Sequence, residues 1–394
     1  MDFALTEEQE MIRESAENFL ADVSSSAAVR EAMQTEHGYD KQVWQRICEE
    51  MVWPAIHIPE AYGGMGLGYV ELAVLLEKMG KYLLCSPYFS TVSLGVNALL
   101  MAGTEQQKAS YLPKIAEGQL TATLAYTGVN GRWDAHAVQA TYQKTVDGYQ
   151  LNGQLRFVPD GHTADLLIVA AREQGSEGEQ GVALFAVSAD SQGVARQWLP
   201  TMDQTRKQAE INLTAVSVDD SALMVNADGG WSKLSSIIQL AQIAVAAEQM
   251  GGAQQTLDMA VDYTQEREQF GRKIASYQAI KHKAADMMLK AEVARSAVYF
   301  AACVGQEVLA EQGDAELIDD LPQAASMAKA YCSDAFFFNA GNAIQFFGGV
   351  GFTWEYDCHL YFKRAKSTET FLGNASYHRE LIAKQLLDAD GGLS

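Results

Sequence analysis

The sequence predicts an α+β fold in three consecutive parts: a helical segment over residues 1–120, a compact β domain over 121–230 and a second helical segment over 231–394. Three observations carry that prediction. Apolar residues recur at helical spacing near the start of the chain, switch to a period of two between Tyr149 and Asp219, and return to helical spacing from Trp231 onward. Helices, then sheet, then helices is a restrictive order, because nucleotide-binding folds of the βαβ kind need strands and helices to alternate.

Taken in order, Thr6 precedes the run EEQE and can cap a helix whose apolar stripe is Met11, Ala16, Phe19 and Leu20, with Glu7 and Glu8 well placed in its first turn. A second helix near 40–52 carries Val43, Ile47 and Met51 and is ended by Pro54 and Pro59. The run PEAYGGMGLGYVEL then reads as a Gly-rich turn feeding a helix over 69–80. Tyr149, Leu151, the pair Asn152-Gly153, Leu155 and Phe157 predict a hairpin turning at Asn152-Gly153. Short apolar runs at 164–171, 181–187 and 211–219 read as further strands. From Trp231, the residues Ile237, Leu240, Ala241, Ala244, Val245, Met250, Ala253 and Leu257 line a long helix toward Tyr263. Two more are predicted at 279–311 and 322–338, stripes that suit a four-helix bundle or a helical subunit interface.

Composition narrows the partners. With 29 Lys plus Arg against 50 Asp plus Glu, a net charge of -21 argues against a nucleic-acid backbone, although a local basic site can still take a phosphate. The five cysteines, Cys48, Cys85, Cys303, Cys332 and Cys358, form no CxxC pair and read as reduced residues of a cytoplasmic chain. No signal peptide, no membrane insertion and no metal site are expected, since the seven histidines show no compact ligand spacing.

Chemistry concentrates in two stretches. In REQFGRKIASYQAIKH, 267–282, Arg267 and Arg272 flank a glycine and offer guanidinium groups suited to a pyrophosphate, while Phe270 can pack beside an adenine or fill a core gap. In IQFFGGVGFTWEYDCHLYFKRAK, 344–366, Gln345 offers an amide, and Gly348, Gly349 and Gly351 leave room for backbone to approach a cofactor. Surface charge and turn formation are the plainer explanations of the same residues.

The order and spacing of these stretches, behind a β domain, resemble the acyl-CoA dehydrogenase family over nearly the whole chain. The resemblance implies an N-terminal helical domain, a central β-barrel-like domain and a C-terminal four-helix bundle. It also implies FAD as cofactor, an acyl-CoA substrate and a flavoprotein as possible electron acceptor. Arg267, Phe270, Gln345, Gly348 and Gly349 would contact the flavin cofactor of a neighbouring subunit, so oligomerisation through the C-terminal helices is implied as well. In such enzymes a glutamate removes the proton next to the thioester, and flavin accepts hydride from the next carbon.

Here the family pattern breaks. RAKSTETFLGN puts Leu372 where the glutamate usually stands and Asn374 where threonine does, and the alternative position in the long helix is Ala241, beside Gln242. Glu369 and Glu248 lie nearby and could act as a displaced base, although ion pairing or capping explains them too. TGVNGRWD, 127–134, keeps Thr127 and Asp134 of the family's flavin loop and loses its Glu, Pro and Ser. Phe157 and Pro159 replace a Trp-x-Thr pair, and Pro159 has neither hydroxyl nor N–H. Asp203 in TMDQTR is expected to be structural. The expectation is thus no catalytic residue in this chain and a heterotetramer in which a related subunit supplies the glutamate, with a steroid side-chain CoA as substrate. A self-sufficient homotetramer with a relocated base, and a noncatalytic structural or regulatory subunit, stay open.

Overall fold

The computed structural model of the chain describes residues 5–387, so both ends of the predicted outer segments lie outside the described residues. Two compact units emerge: one is built from residues up to 30, 69–84 and 242 onward, the other from 31–68 and 85–241. Helices come first: α1 (Glu7–Val23), α2 (Ser26–Gln34), α3 (Lys41–Glu49), α4 (Tyr69–Lys81), a π-helix over Phe89–Val96, α5 (Asn97–Ala102) and α6 (Glu105–Ala116). Eight strands follow: β1 (Ala122–Ala125), β2 (Thr141–Thr145), β3 (Gly148–Pro159), β4 (Leu166–Glu173), β5 (Val182–Ser188), β6 (Val194–Leu199), β7 (Gln208–Val218) and β8 (Leu223–Val225). The chain returns to helix in α7 (Gly230–Glu266), followed by the short strands β9 (Glu268–Gln269) and β10 (Arg272–Lys273). It continues with α8 (Gln278–Leu309), α9 (Ala315–Asp319), α10 (Leu321–Phe347), α11 (Cys358–Thr370) and α12 (Ala375–Leu387).

α1 starts where the sequence says it should. Thr6 Oγ1 accepts from Gln9 N at 3.2 Å, and Gln9 Oε1 accepts from Thr6 N at 3.0 Å, a reciprocal capping box. Its buried face is Ala16, Phe19, Leu20 and Val23, whereas Met11, expected in the stripe, is exposed. α10 runs to Phe347, well past its expected end at Phe338, because nothing before Gly348 breaks its helical period.

The strands β1–β8 form one sheet in the order β6-β7-β3-β2-β4-β5-β8, with β1 pairing β4 in parallel. Tyr142, Tyr149 and Phe185 meet edge to face at 5.1 to 5.9 Å between centroids and fill its core. The predicted hairpin turn at Asn152-Gly153 is absent: β3 is continuous there, and the β2–β3 turn lies between Thr145 and Gly148. Asn152 instead braces a bulge in β7, its Oδ1 accepting from the N–H of left-handed Ala215 at 2.7 Å. Gly153 is needed because a Cβ there would lie 2.7 Å from Ala140 Cα.

In the helical unit α4 and α7 cross backbone to backbone. A Cβ on Gly251 would sit 1.8 Å from Glu77 O, and one on Gly80 would sit 2.0 Å from Glu248 O. This close crossing surrounds a buried ion pair in which Glu77 accepts from Arg295 Nη1 at 2.9 Å and from Tyr299 OH at 3.0 Å. No helix among the described residues is long and apolar enough to cross a membrane.

Glu77→Ala leaves the Arg295 guanidinium, whose side chain is 25% exposed, with only Gln254 and Glu292 as partners among the described residues and removes the acceptor of Tyr299; it should lower the unfolding free energy by about 2 kcal/mol, read from urea midpoints. In the same assay Gly251→Ala should be as damaging, and Gly349→Ala, with nothing within 4 Å of its Cβ, should be neutral.

Candidate functional site

The turn between α11 and α12, residues 371–374, holds the position where a base was expected. Leu372 is buried and its backbone is left-handed, with φ 60, followed by Gly373 at φ 103. A residue with a Cβ is strained there and persists only if its surroundings fix it. They do so through its carbonyl, which accepts from Gln242 Nε2 of α7 at 3.1 Å and from His378 Nε2 of α12 at 3.0 Å. Gly373 has no alternative, since a Cβ would meet His378 Nε2 at 2.6 Å.

Lys329 of α10, fully buried, completes the turn. Its Nζ donates to Gly373 O at 2.8 Å, to Glu369 O at 3.2 Å and to Ser333 Oγ at 2.9 Å. Burial pushes the ammonium down to about 7, yet two bare carbonyls and a hydroxyl together take all three N–H donors of the charged form. Burial, reinforced by the charge on Lys329, pushes His378 down to about 4. The neutral ring donates from Nε2 to Leu372 O and meets Ser326 Oγ at Nδ1. Neither residue was singled out from the sequence, although a Lys inside the apolar stripe of Ala325, Ala328 and Cys332 is visible there at helical spacing.

Neither displaced carboxylate joins the turn. Glu369 accepts from Lys366 Nζ at 2.7 Å in an exposed ion pair one helical turn away. Glu248 is buried in α7. Ala241 is buried in the same helix and carries no titratable group.

The residues expected to meet a cofactor are all on the surface. Arg267 follows α7, and the β9–β10 hairpin places Phe270 and Gly271 at its tip with φ 55 and 78. Phe270 is 93% exposed. Arg272 packs its guanidinium 3.9 Å from the Tyr277 ring, so it differs from Arg267, for which the described residues supply no side-chain partner. Gln345 is exposed near the end of α10. Gly348, at φ 65 and ψ -141, occupies backbone space closed to other residues. Gly349 has a negative φ, and a methyl group added to it would find nothing within 4 Å, so neither torsion nor packing within the chain explains it.

Four backbone N–H groups of the loop 127–138 of the sheet unit are bonded within the chain. Gly128 N donates to Ala137 O, Asn130 N to Gln139 Oε1, Arg132 N to Asn130 Oδ1 and His136 N to Asp134 Oδ1, at 2.8 to 3.1 Å. Thr127 Oγ1 donates to Arg156 O at 2.5 Å. Arg172, nearly buried, clamps Ala135 O and Val138 O at 2.9 and 2.7 Å. Phe157 stands exposed on a β3 bulge at φ 57, and Pro159 accepts from Thr123 at its carbonyl, 2.7 Å. Asp203 closes a local turn by accepting from Thr205 N and Oγ1 at 2.9 and 2.6 Å.

The chain matches three acyl-CoA dehydrogenase domain families: N-terminal over residues 6–119, middle over 123–216 and C-terminal over 228–387. It is also 31% identical to the acyl-CoA dehydrogenase IpdE2 of Mycolicibacterium smegmatis, across 94% of this chain and 96% of that one. The chain belongs to the acyl-CoA dehydrogenase family. Among solved structures it is similar to the ChsE4-ChsE5 complex from Mycobacterium tuberculosis, with TM-score 0.87, 26% identity and full coverage of both chains. It is likewise similar to a variant of the Tcur3481-Tcur3483 steroid ACAD, with TM-score 0.85, 27% identity and coverage of 98% and 99%. As an acyl-CoA dehydrogenase this protein is an FAD-dependent oxidoreductase.

Its two halves fit FAD differently. A free guanidinium, an exposed amide and a glycine unexplained from within suit an approach by phosphate and nucleotide from outside the chain. In the 127–138 loop the N–H groups of Gly128, Asn130, Arg132 and His136 are committed within the chain and so are not offered to a flavin ring.

The turn also sets a pH dependence. A folded-state value of about 4 for His378, below the ordinary 6.5, means the folded state binds fewer protons between them. The stability it contributes is complete above 6.5 and lost as pH falls toward 4. His57, also buried and pushed to about 4, acts in the same direction. His378→Gln, which still donates without titrating, should flatten the acid limb of urea stability by one proton in that window.

Proposed function

We propose that this acyl-CoA dehydrogenase chain is the subunit without a catalytic base in a heteromeric enzyme that oxidises the α,β bond of a steroid side-chain CoA thioester. An unlike partner supplies the glutamate. The observation that carries the reading is the 371–374 turn, whose backbone is held as tightly as a catalytic turn needs while its side chain is a buried leucine. No geometry lets Leu372 take a proton. The steroid class and the unlike partner are supported by the similarity to a steroid acyl-CoA dehydrogenase variant and to a two-component complex.

Division of labour follows from the two halves. When bound, FAD supplies the hydride acceptor. Arg267 neutralises phosphate charge on the neighbour's cofactor, Gln345 offers its amide, the Gly348-Gly349 backbone permits close approach and Phe270 covers the adenine. The partner holds the ring and performs proton transfer, and a flavoprotein is the electron acceptor that regenerates the oxidised cofactor.

Native mass spectrometry of the chain alone and with related subunits of the same cell tests this directly. A mixed assembly that gains flavin only on pairing is the expected result, and a flavin-filled homotetramer would sink the reading. In the mixed assembly Arg267→Ala should weaken FAD binding by about tenfold or more, the loss of one charge-assisted phosphate contact, measured by flavin fluorescence titration.

One observation favours a second reading. Glu248 is buried in α7, two helical turns beyond Ala241 and therefore on the same helix face. If it were a relocated base, Glu248→Gln would cut kcat by about a hundredfold or more. Under the leading reading kcat is unchanged.

A further inference from the structure

The two motifs assigned above to a neighbour's FAD are far apart in sequence and sit on different helices. Arg267 follows the last turn of α7, its N–H donating to Tyr263 O at 2.9 Å. Gln345 and Gly348 flank Phe347, the last residue of α10. Tyr263 and Phe347 lie ring on ring, 4.0 Å between centroids and 15° between planes. Tyr356, from the segment after the glycine turn, meets both rings edge-on at 5.9 and 4.9 Å. Beneath them lies an apolar floor that includes Met259, Ile344, Val350 and Phe362.

We propose that Tyr263 is a positioning residue: its ring, stacked on Phe347, registers Arg267 against the Gln345–Gly349 segment, so that both motifs form one preformed face for the FAD of the adjoining subunit. The proposal rests on the reading of those motifs given under Proposed function. Tyr263 lies one helical turn before Arg267, so the stack fixes the orientation of the turn from which the arginine departs. The stacked pair sets the relative orientation of two planes, and an aliphatic side chain cannot reproduce that. No hydrogen bond ties the Tyr263 hydroxyl to the described residues, which leaves the ring rather than the phenol as the working part.

The test uses the assembled complex stripped of flavin and titrated with FAD. Tyr263→Leu should weaken FAD binding by about tenfold, the order expected when one aromatic pair and the order it imposes are lost, measured at a temperature where the flavin-free assembly is still fully folded. Tyr263→Phe should bind as the parent does. Because the ring acts through Arg267, Tyr263→Leu and Arg267→Ala should be non-additive in a double-mutant cycle. Unchanged affinity in Tyr263→Leu, full additivity with Arg267→Ala, or a Tyr263→Phe variant as weak as Tyr263→Leu would each overturn the proposal. If Arg267→Ala alone leaves FAD affinity intact, the reading of the motifs fails and takes this inference with it. Should Tyr263→Leu not assemble, Phe347→Leu removes the other ring and is judged by the same outcomes.

Discussion

Three helices aim hydrogen-bond donors at one short turn. Gln242 of α7, Lys329 of α10 and His378 of α12 make four bonds to the carbonyls of Glu369, Leu372 and Gly373. The Glu369 carbonyl lies in the last turn of α11, where helix carbonyls lack partners and the helix dipole is negative, and those of Leu372 and Gly373 lie just past it. A buried ammonium is costly in isolation, and this one is tolerable because the helix end has unmet acceptors in the same place. Each defect answers the other. The left-handed Leu372, the entry angle of α12 and the burial of His378 all follow from that exchange.

The left-handed backbone at Leu372 is held in place although its side chain is apolar and cannot take a proton. The sheet unit shows the opposite pattern: its 127–138 loop has turned its donors inward, and Arg172 locks that arrangement by binding backbone carbonyls from behind. One turn is thus braced by side chains from three helices, and the other loop is braced largely by its own backbone and by Arg172.

The sequence was legible where local rules dominate. Thr6 with Gln9 announces a capping box, and the shift of apolar period at Trp231 marks where helices return, whereas the one at Tyr149 falls on the third strand, after β1 and β2. It misled where a local signal served a long-range purpose. Asn152-Gly153 has the composition of a hairpin turn, but Gly153 answers the approach of Ala140, and Asn152 caps a bulge 63 residues away. Met11 fits a helical stripe by spacing yet lies outside the buried arc. At the turn, Leu372 could be singled out from the sequence, whereas Lys329 and His378 stayed hidden. A single polar residue on an apolar face gives no hint of which carbonyls it will meet.

Phe270 gives the hairpin tip a consequence for solution behaviour. An almost fully hydrated phenyl group, held at a strained φ of 55, forgoes about 2 kcal/mol that burial against a neighbouring chain or its cofactor would return. The chain carries a net charge of -21, so two copies approaching one another meet long-range self-repulsion before that ring finds cover. A less acidic companion meets less. The adhesive residue and the repulsive charge thus oppose one another, and salt, by screening the charge, tips the balance toward covering the ring.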